Sequence, residues 1–379
     1  MPYVMPGELV TIQLREDKKG FALADLVSVE RPHPQRIQAR CAHFGTCGGC
    51  HYQHIPYDLQ LAYKKEILIE QLQRIAGIAS PCVDKVVPAA EQWGYRNTIQ
   101  FQVSSKGKLC YAKARDNFPF TVQECHLPMP ALSDLWPQIA FEPGSFIGRL
   151  DLRQNQAGEV LLELSGKQSE IPELESESSV SIVSLAGDDP VVLAGEGYLI
   201  AEVLGRPFLI SAGSFFQTNF SGAEALVNQV RALVQEYKPR QLLDVYSGVG
   251  LFSAFLAGEV EQLMAVESSP SACQDFVVNL DEFDNVGLVE GTAEAVLPTL
   301  DFQPDAILID PPRSGMRPQA RDAIVQLAPE IIIYVSCNPS TLARDTRSLY
   351  EAGYQIRKTV LVDMFPQTYH MESVVAFTK

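Results

Sequence analysis

The tetrad Ser336-Cys337-Asn338-Pro339 puts a thiol directly after the apolar run Ile331–Val335. A buried strand of that kind delivers whatever follows it to one edge of a parallel sheet, where open α/β sheets bind their ligands. A cysteine there is a candidate nucleophile, because its thiolate is reactive and accessible near neutral pH. A second apolar strand ends in Asp310-Pro311-Pro312-Arg313, and a late acid follows in His370-Met371-Glu372. Adjacent prolines stiffen the chain past that strand, which holds Asp310 at the floor of a pocket.

The segment Leu242–Ser253 reads as a strand, a turn with Gly248 and Gly250, and a helix start. Glycines there let the backbone approach a ligand closely. The third glycine of a dinucleotide site is missing, and no phosphate-binding Lys-Ser/Thr pair follows. The next strand ends in Glu267, an acid placed for the two hydroxyls of a ribose. A nucleoside without phosphates, S-adenosylmethionine, fits this pattern better than NAD. Uracil C5 is a poor carbon nucleophile until a thiolate adds at C6 and makes it an enolate. One activated Cys, one carboxylate and one methyl donor would then methylate C5, with Cys337 as nucleophile and Glu372 as the base that removes the C5 proton.

These residues resemble the RNA 5-methyluridine methyltransferase family, class I enzymes acting on uridine in tRNA or large-subunit rRNA. The likeness rests on Ser214-Phe215-Phe216-Gln217-Thr218-Asn219, the Asp244–Ser253 turn, Glu267, Asp310-Pro311-Pro312-Arg313, Ser336–Pro339 with Thr341–Asp345, and His370-Met371-Glu372. It covers the carboxy-terminal half. The resemblance implies that Gln217, Tyr246, Glu267 and Asp310 contact S-adenosylmethionine. It also implies that Phe215 stacks on the target base, which must leave its RNA stack to be reached, and that Arg96 contacts RNA. Large-subunit (23S) rRNA is the expected substrate, with a tRNA uridine as the alternative. A non-catalytic RNA-binding iron–sulfur protein and a small-molecule methyltransferase are the competing readings. Cys337 and Glu372 weigh against the first, and the cysteine-rich segment is unexplained by the second.

Cys41, Cys47 and Cys50 crowd one short loop, which Gly48-Gly49 allows to fold tightly. With a fourth ligand from Cys82, Cys110 or Cys125, that spacing suits tetrahedral zinc or an iron–sulfur cluster equally. The family resemblance implies a [4Fe-4S] cluster on Cys41, Cys47, Cys50 and Cys125. Nearby basic residues, Arg36, Arg40, Lys64, Lys65, Lys106, Lys108, Lys113 and Arg115, are candidate phosphate contacts. Trp93 and Arg96 could stack on a splayed base.

The elements that must position these groups follow from patterning. Residues 7–29 alternate around Asp17–Gly20 as a β-hairpin, and Tyr57 to about Ile75 reads as an amphipathic helix. Short strands fill Cys82–Phe208, and helix–strand alternation begins near Ser221. The expected fold is α/β: a Rossmann-like class I methyltransferase domain (209–379), preceded by a mixed β-rich central region carrying the cluster and RNA contacts (41–208). Residues 1–40 resemble part of an OB-like TRAM barrel whose first strands are missing, through reduction or a misplaced start.

The chain has 379 residues, 46% hydrophobic and 20% charged, with a net charge of −16. Residues 1–126 hold 15 Lys and Arg against 12 Asp and Glu, so the excess acid lies beyond them, much of it between Glu159 and Glu202. RNA therefore needs a local basic groove rather than a basic protein. No secretory signal is expected, and no apolar run is long enough to span a membrane. A cytoplasmic monomer is expected.

Overall fold

A computed structural model describes residues 2–145, 147–166, 180–187 and 189–379. Lys167 and the middle of the acidic Glu159–Glu202 stretch lie outside the described residues. No described helix is long and apolar enough to cross a membrane.

Strands β1 (Leu9–Lys18) and β2 (Phe21–Arg31) form the expected antiparallel hairpin. Two strands alone bury little, and Leu9, Leu14, Phe21 and Val27 are exposed. Among the described residues this two-stranded sheet is what the expected OB-like segment amounts to. Helix α1 (Tyr57–Arg74) turns Gln60, Lys64, Leu68 and Leu72 inward, one row at i, i+4 spacing. Leu68 and Leu72 pack into the core of the carboxy-terminal sheet. β3 (Lys85–Val87) extends that same sheet as a parallel edge strand.

The central sheet comprises β4 (Thr98–Val103), β5 (Leu109–Ala112), β6 (Pro119–Thr121), then helix α2 (Pro130–Leu135), β7 (Ile147–Gln154), β8 (Val160–Gly166), β9 (Ser181–Ser184) and β10 (Val191–Ala194). Its spatial order is β10-β9-β8-β7-β4-β5-β6, antiparallel except for the parallel β8–β9 pair. Phe101, Leu132, Trp136 and Leu150 form its separate core. The hairpin β11 (Tyr198–Val203) and β12 (Arg206–Ser211) leads to the last body.

That body runs α3 (Phe220–Tyr237), β13 (Gln241–Val245), α4 (Leu251–Leu256), β14 (Gln262–Glu267), α5 (Pro270–Asn279), β15 (Val286–Glu290), α6 (Ala293–Val296), β16 (Ala306–Ile309), α7 (Pro318–Leu327), β17 (Ile331–Ser336), α8 (Pro339–Glu351), β18 (Gln355–Val362) and β19 (Glu372–Thr378). The order is β15-β14-β13-β16-β17-β19-β18-β3. Side chains alternate between two cores on opposite faces: Ile331, Ile333 and Val335 enter one, Ile332 and Tyr334 the other. Burial on both faces explains why these strands are near-continuously apolar.

The sheet departs from parallel winding at one strand. β19 is antiparallel to both β17 and β18. Parallel strands all end at the same edge, and an antiparallel strand begins there. The chain thus brings Glu267, Asp310, Cys337 and Glu372 to one edge from four strands.

Candidate active site

Glu267 closes β14, and its carboxylate accepts from the amides of Gly248 (2.8 Å), Ser268 (2.6 Å) and Ser269 (2.8 Å). The acid thus fixes the glycine turn against the start of α5. Tyr246, directly after β13, has φ 67°, a left-handed conformation that strains a non-glycine residue by about 1–3 kcal/mol. At Gly248 (φ 55°) an added Cβ would meet nothing within 4 Å, so the turn faces open space. Gly250 (φ 87°) is different: a Cβ there would lie 2.3 Å from Leu280 Cδ1.

Asp244 is fully buried, with Oδ2 accepting from Ser253 Oγ at 2.6 Å and Oδ1 lacking a partner. The buried Ser247 hydroxyl is also without a partner among the described residues. Burial pushes the Asp244 carboxyl up to about 7, and burial with the nearby Asp244 charge does the same to Asp310. An open turn, spare polar atoms and poised acids fit a polar nucleoside. They are a poor fit to a ligand rich in phosphate, which carboxylates repel.

Ser336 pairs with Ser373 across β17 and β19, and Ser373 Oγ donates to Ser336 O at 3.3 Å. Cys337 follows the first and Glu372 precedes the second, so register alone sets thiol and carboxyl side by side. Asn338 caps α8, its Oδ1 accepting from Ser340 N at 3.0 Å, which fixes the turn bearing Cys337. Burial and then the charges of Glu372 and Asp310 push the thiol up to about 12, while Arg313 draws it down. Burial and Asp310 raise the Glu372 carboxyl, again opposed by Arg313. Arg313 is thus the cation facing both groups. Its motif was visible in the sequence, though nothing there gave it that duty.

The turn after β12 carries Phe215 and Gln217. Phe215 is 65% exposed and so is free to stack rather than being a core aromatic. Gln217 is buried, and its carbonyl accepts from Asn97 Nδ2 at 2.9 Å. Arg153 holds the same turn, donating to Ser214 O and pairing with buried Glu163 at 3.0 Å. Arg96 is half-buried, with Nε lacking a partner, and its charge reaches both Cys125 and His370.

Among the proposed phosphate contacts, Lys64 is overturned. Its side chain is completely buried and pairs with buried Asp363 at 2.6 Å, so it cannot reach a phosphate. The i, i+4 row read backward from Leu72 and Leu68 lands on Lys64 and Gln60, a signal that its charge masked. Arg36 is engaged with Glu8 at 2.7 Å and Arg115 with Asp25 at 3.2 Å. Arg40 lies over the Trp93 ring, 5.2 Å from its centre.

Cys41, Cys47, Cys50 and, from beyond β6, Cys125 are all free thiols. At Gly48 an added Cβ would lie a tight 3.3 Å from Ala112 O, and Gly49 N donates to Cys47 Sγ at 3.3 Å. Burial raises each thiol, and Cys50 also feels Cys125, Cys47 and Cys41. No three His, Cys, Asp or Glu side chains among the described residues are grouped to hold a metal ion. The expected cluster thus finds four thiols in one neighbourhood but no formed ligand group among the described residues.

An open α/β sheet with an antiparallel strand beside β17, and a glycine turn closed by the acid of the next strand, is the class I methyltransferase fold. The family described as tRNA (uracil-5-)-methyltransferase matches residues 202–379. An RNA methyltransferase of Caldanaerobacter subterraneus is 32% identical over 97% of this chain and 91% of its own. One of Nostoc is 32% identical over 100% and 90%. The crystal structure of Pyrococcus abyssi tRNA (uracil-54, C5)-methyltransferase, in complex with S-adenosyl-L-homocysteine, superposes with a TM-score of 0.76. It is 26% identical and covers 100% of this chain and 95% of that one. The chain belongs to this family of RNA (uracil-5-)-methyltransferases.

Proposed function

We propose that the protein methylates C5 of a uridine in RNA through a covalent adduct between Cys337 and uracil C6. The observation that carries this reading is the Ser336–Ser373 register, which brings the flanking residues Cys337 and Glu372 to the same sheet edge. S-adenosylmethionine, held by Gln217, Tyr246, Glu267 and Asp310, would supply an electrophilic methyl on sulfur. Cys337 adds as thiolate to C6, which shifts the electron pair through C5 and makes that carbon the methyl acceptor. Glu372, as carboxylate, then takes the C5 proton. The C5–C6 double bond re-forms and Cys337 leaves as thiolate. Exposed Phe215 and half-buried Arg96 are read as contacts to the displaced base and its strand.

Large-subunit rRNA is the proposed substrate, carried by residues 41–208 and the 1–40 hairpin ahead of the catalytic part. A tRNA uridine is the second reading, favoured by likeness to the Pyrococcus abyssi enzyme along the whole chain. The protein acts as a cytoplasmic monomer in both. Cys41, Cys47, Cys50 and Cys125 are read as ligands of a [4Fe-4S] cluster, whose cationic irons would offset four convergent thiolates. Methyl transfer needs no redox step, so the cluster's part is structural.

Unmodified tRNA and 23S rRNA transcripts, incubated with methyl-labelled S-adenosylmethionine, test the reaction. Labelled 5-methyluridine in one of them is expected, and its absence from both sinks the reading. Anaerobic purification should give a brown protein with iron and sulfide in equal amounts; zinc alone would overturn the cluster.

A further inference from the structure

Residues 363–371 link β18 to β19 and deliver Glu372 to the sheet edge. Polar groups from far earlier in the chain fasten this bend. Lys64 Nζ donates to Asp363 Oδ1 at 2.6 Å and to Phe365 O at 3.0 Å. Gln60 and Gln367 exchange two hydrogen bonds, Gln60 Nε2 to Gln367 Oε1 at 3.1 Å and Gln367 N to Gln60 Oε1 at 2.9 Å. The amides of His51 and Tyr52, at the end of the cysteine loop, both donate to Gln367 O at 2.9 Å. Gln367 itself is buried with φ 70°.

Stability does not explain these choices. A buried ion pair is often no better than apolar side chains of the same size, because both charges lose their water. A left-handed glutamine adds strain that only its surroundings can enforce. What such groups achieve is one conformation rather than several, since any slip of the bend would strand a buried charge. The conformation they select is the one that sets the start of β19.

We propose that Lys64 and Gln60 are positioning residues for proton removal. They lock the 363–371 bend so that Glu372 reaches uracil C5 on the Cys337 adduct, and the cysteine loop backs the lock through His51 and Tyr52. The inference rests on the reading of Glu372 as the base. With the bend loose, Cys337 still forms its bond to C6 and C5 still takes the methyl. The C5 proton then stays in place, the S–C6 bond does not break, and the RNA remains attached.

The test uses the 379-residue protein, methyl-labelled S-adenosylmethionine and whichever transcript the natural protein labels. Denaturing gels separate covalent protein–RNA adduct from released RNA. For Lys64→Met the ratio of methylated adduct to released product should rise at least tenfold. Gln60→Leu leaves the ion pair intact, should shift the ratio in the same direction, and replaces Lys64→Met if that chain does not fold. A ratio equal to that of the natural protein in the folded variants, whatever their turnover, overturns the inference. Glu372→Gln run in parallel separates the two ideas. If it traps adduct and the lock variants do not, the lock is wrong; if it traps none, the base assignment is wrong.

Discussion

Glu372 stands close enough to Cys337 that, after burial itself, its carboxyl does most to hold the proton on the thiol, which is pushed up to about 12. Burial and the charge of Asp310 in turn hold the Glu372 carboxyl well above its ordinary range. Arg313 is the opposing influence on both.

Alkylation of Cys337 in the ligand-free protein should therefore climb about tenfold per pH unit between about pH 7 and pH 9, because the thiolate is the reacting form and its fraction is far from saturating. Arg313→Ala should slow it further at each pH. Site-resolved mass spectrometry after a timed iodoacetamide pulse measures both, and a plateau near pH 8 would contradict the raised thiol.

Phe215→Ala should weaken RNA binding by about 1–3 kcal/mol, the usual worth of one stacked base. The ring is 65% exposed, so thermal stability should hardly move. Filter binding of the substrate transcript together with a melting curve distinguishes lost stacking from lost structure.

Gly250→Ala should destabilise the fold by about 2–5 kcal/mol. A left-handed φ strains any β-carbon, and this one would overlap Leu280 and Phe276. Gly248→Ala meets only the strain, because space beyond it is open, and should cost about 1–2 kcal/mol. Urea unfolding of the pair gives the order directly.

Asp244 supplies a pH test. Its carboxyl is held up at about 7 by burial, whereas in the unfolded chain it ionises near 4. Between those values the folded state binds the extra proton, so this group's contribution to stability is present at low pH and is lost as pH rises toward 7. Asp244→Asn removes that loss. Its Tm relative to the natural protein should increase from about pH 5 to about pH 8, and a constant difference would show the carboxyl to titrate normally.

The buried parallel strands β13, β16 and β17 were legible because an element covered on both faces must be apolar throughout. β18 was not: Gln355, Arg357 and Lys358 interrupt its first half, and only Val360–Val362 are core residues. Nothing local announces that β19 runs backward, since direction depends on which neighbour a strand finds. The same limit hid the lock. Asp363 looks like a turn acid and Lys64 like a surface base until a helix and a bend from opposite parts of the chain meet.

That meeting spans 299 positions between Lys64 and Asp363 and 307 between Gln60 and Gln367. Closing so long a loop is entropically expensive and slow, so contacts of this kind form late in folding. A nascent chain would carry its thiol, its glycine turn and most of its sheet before the bend could close on α1. The reactive pair is then among the last features to take shape, and a half-made enzyme has no means of completing turnover on the RNA around it.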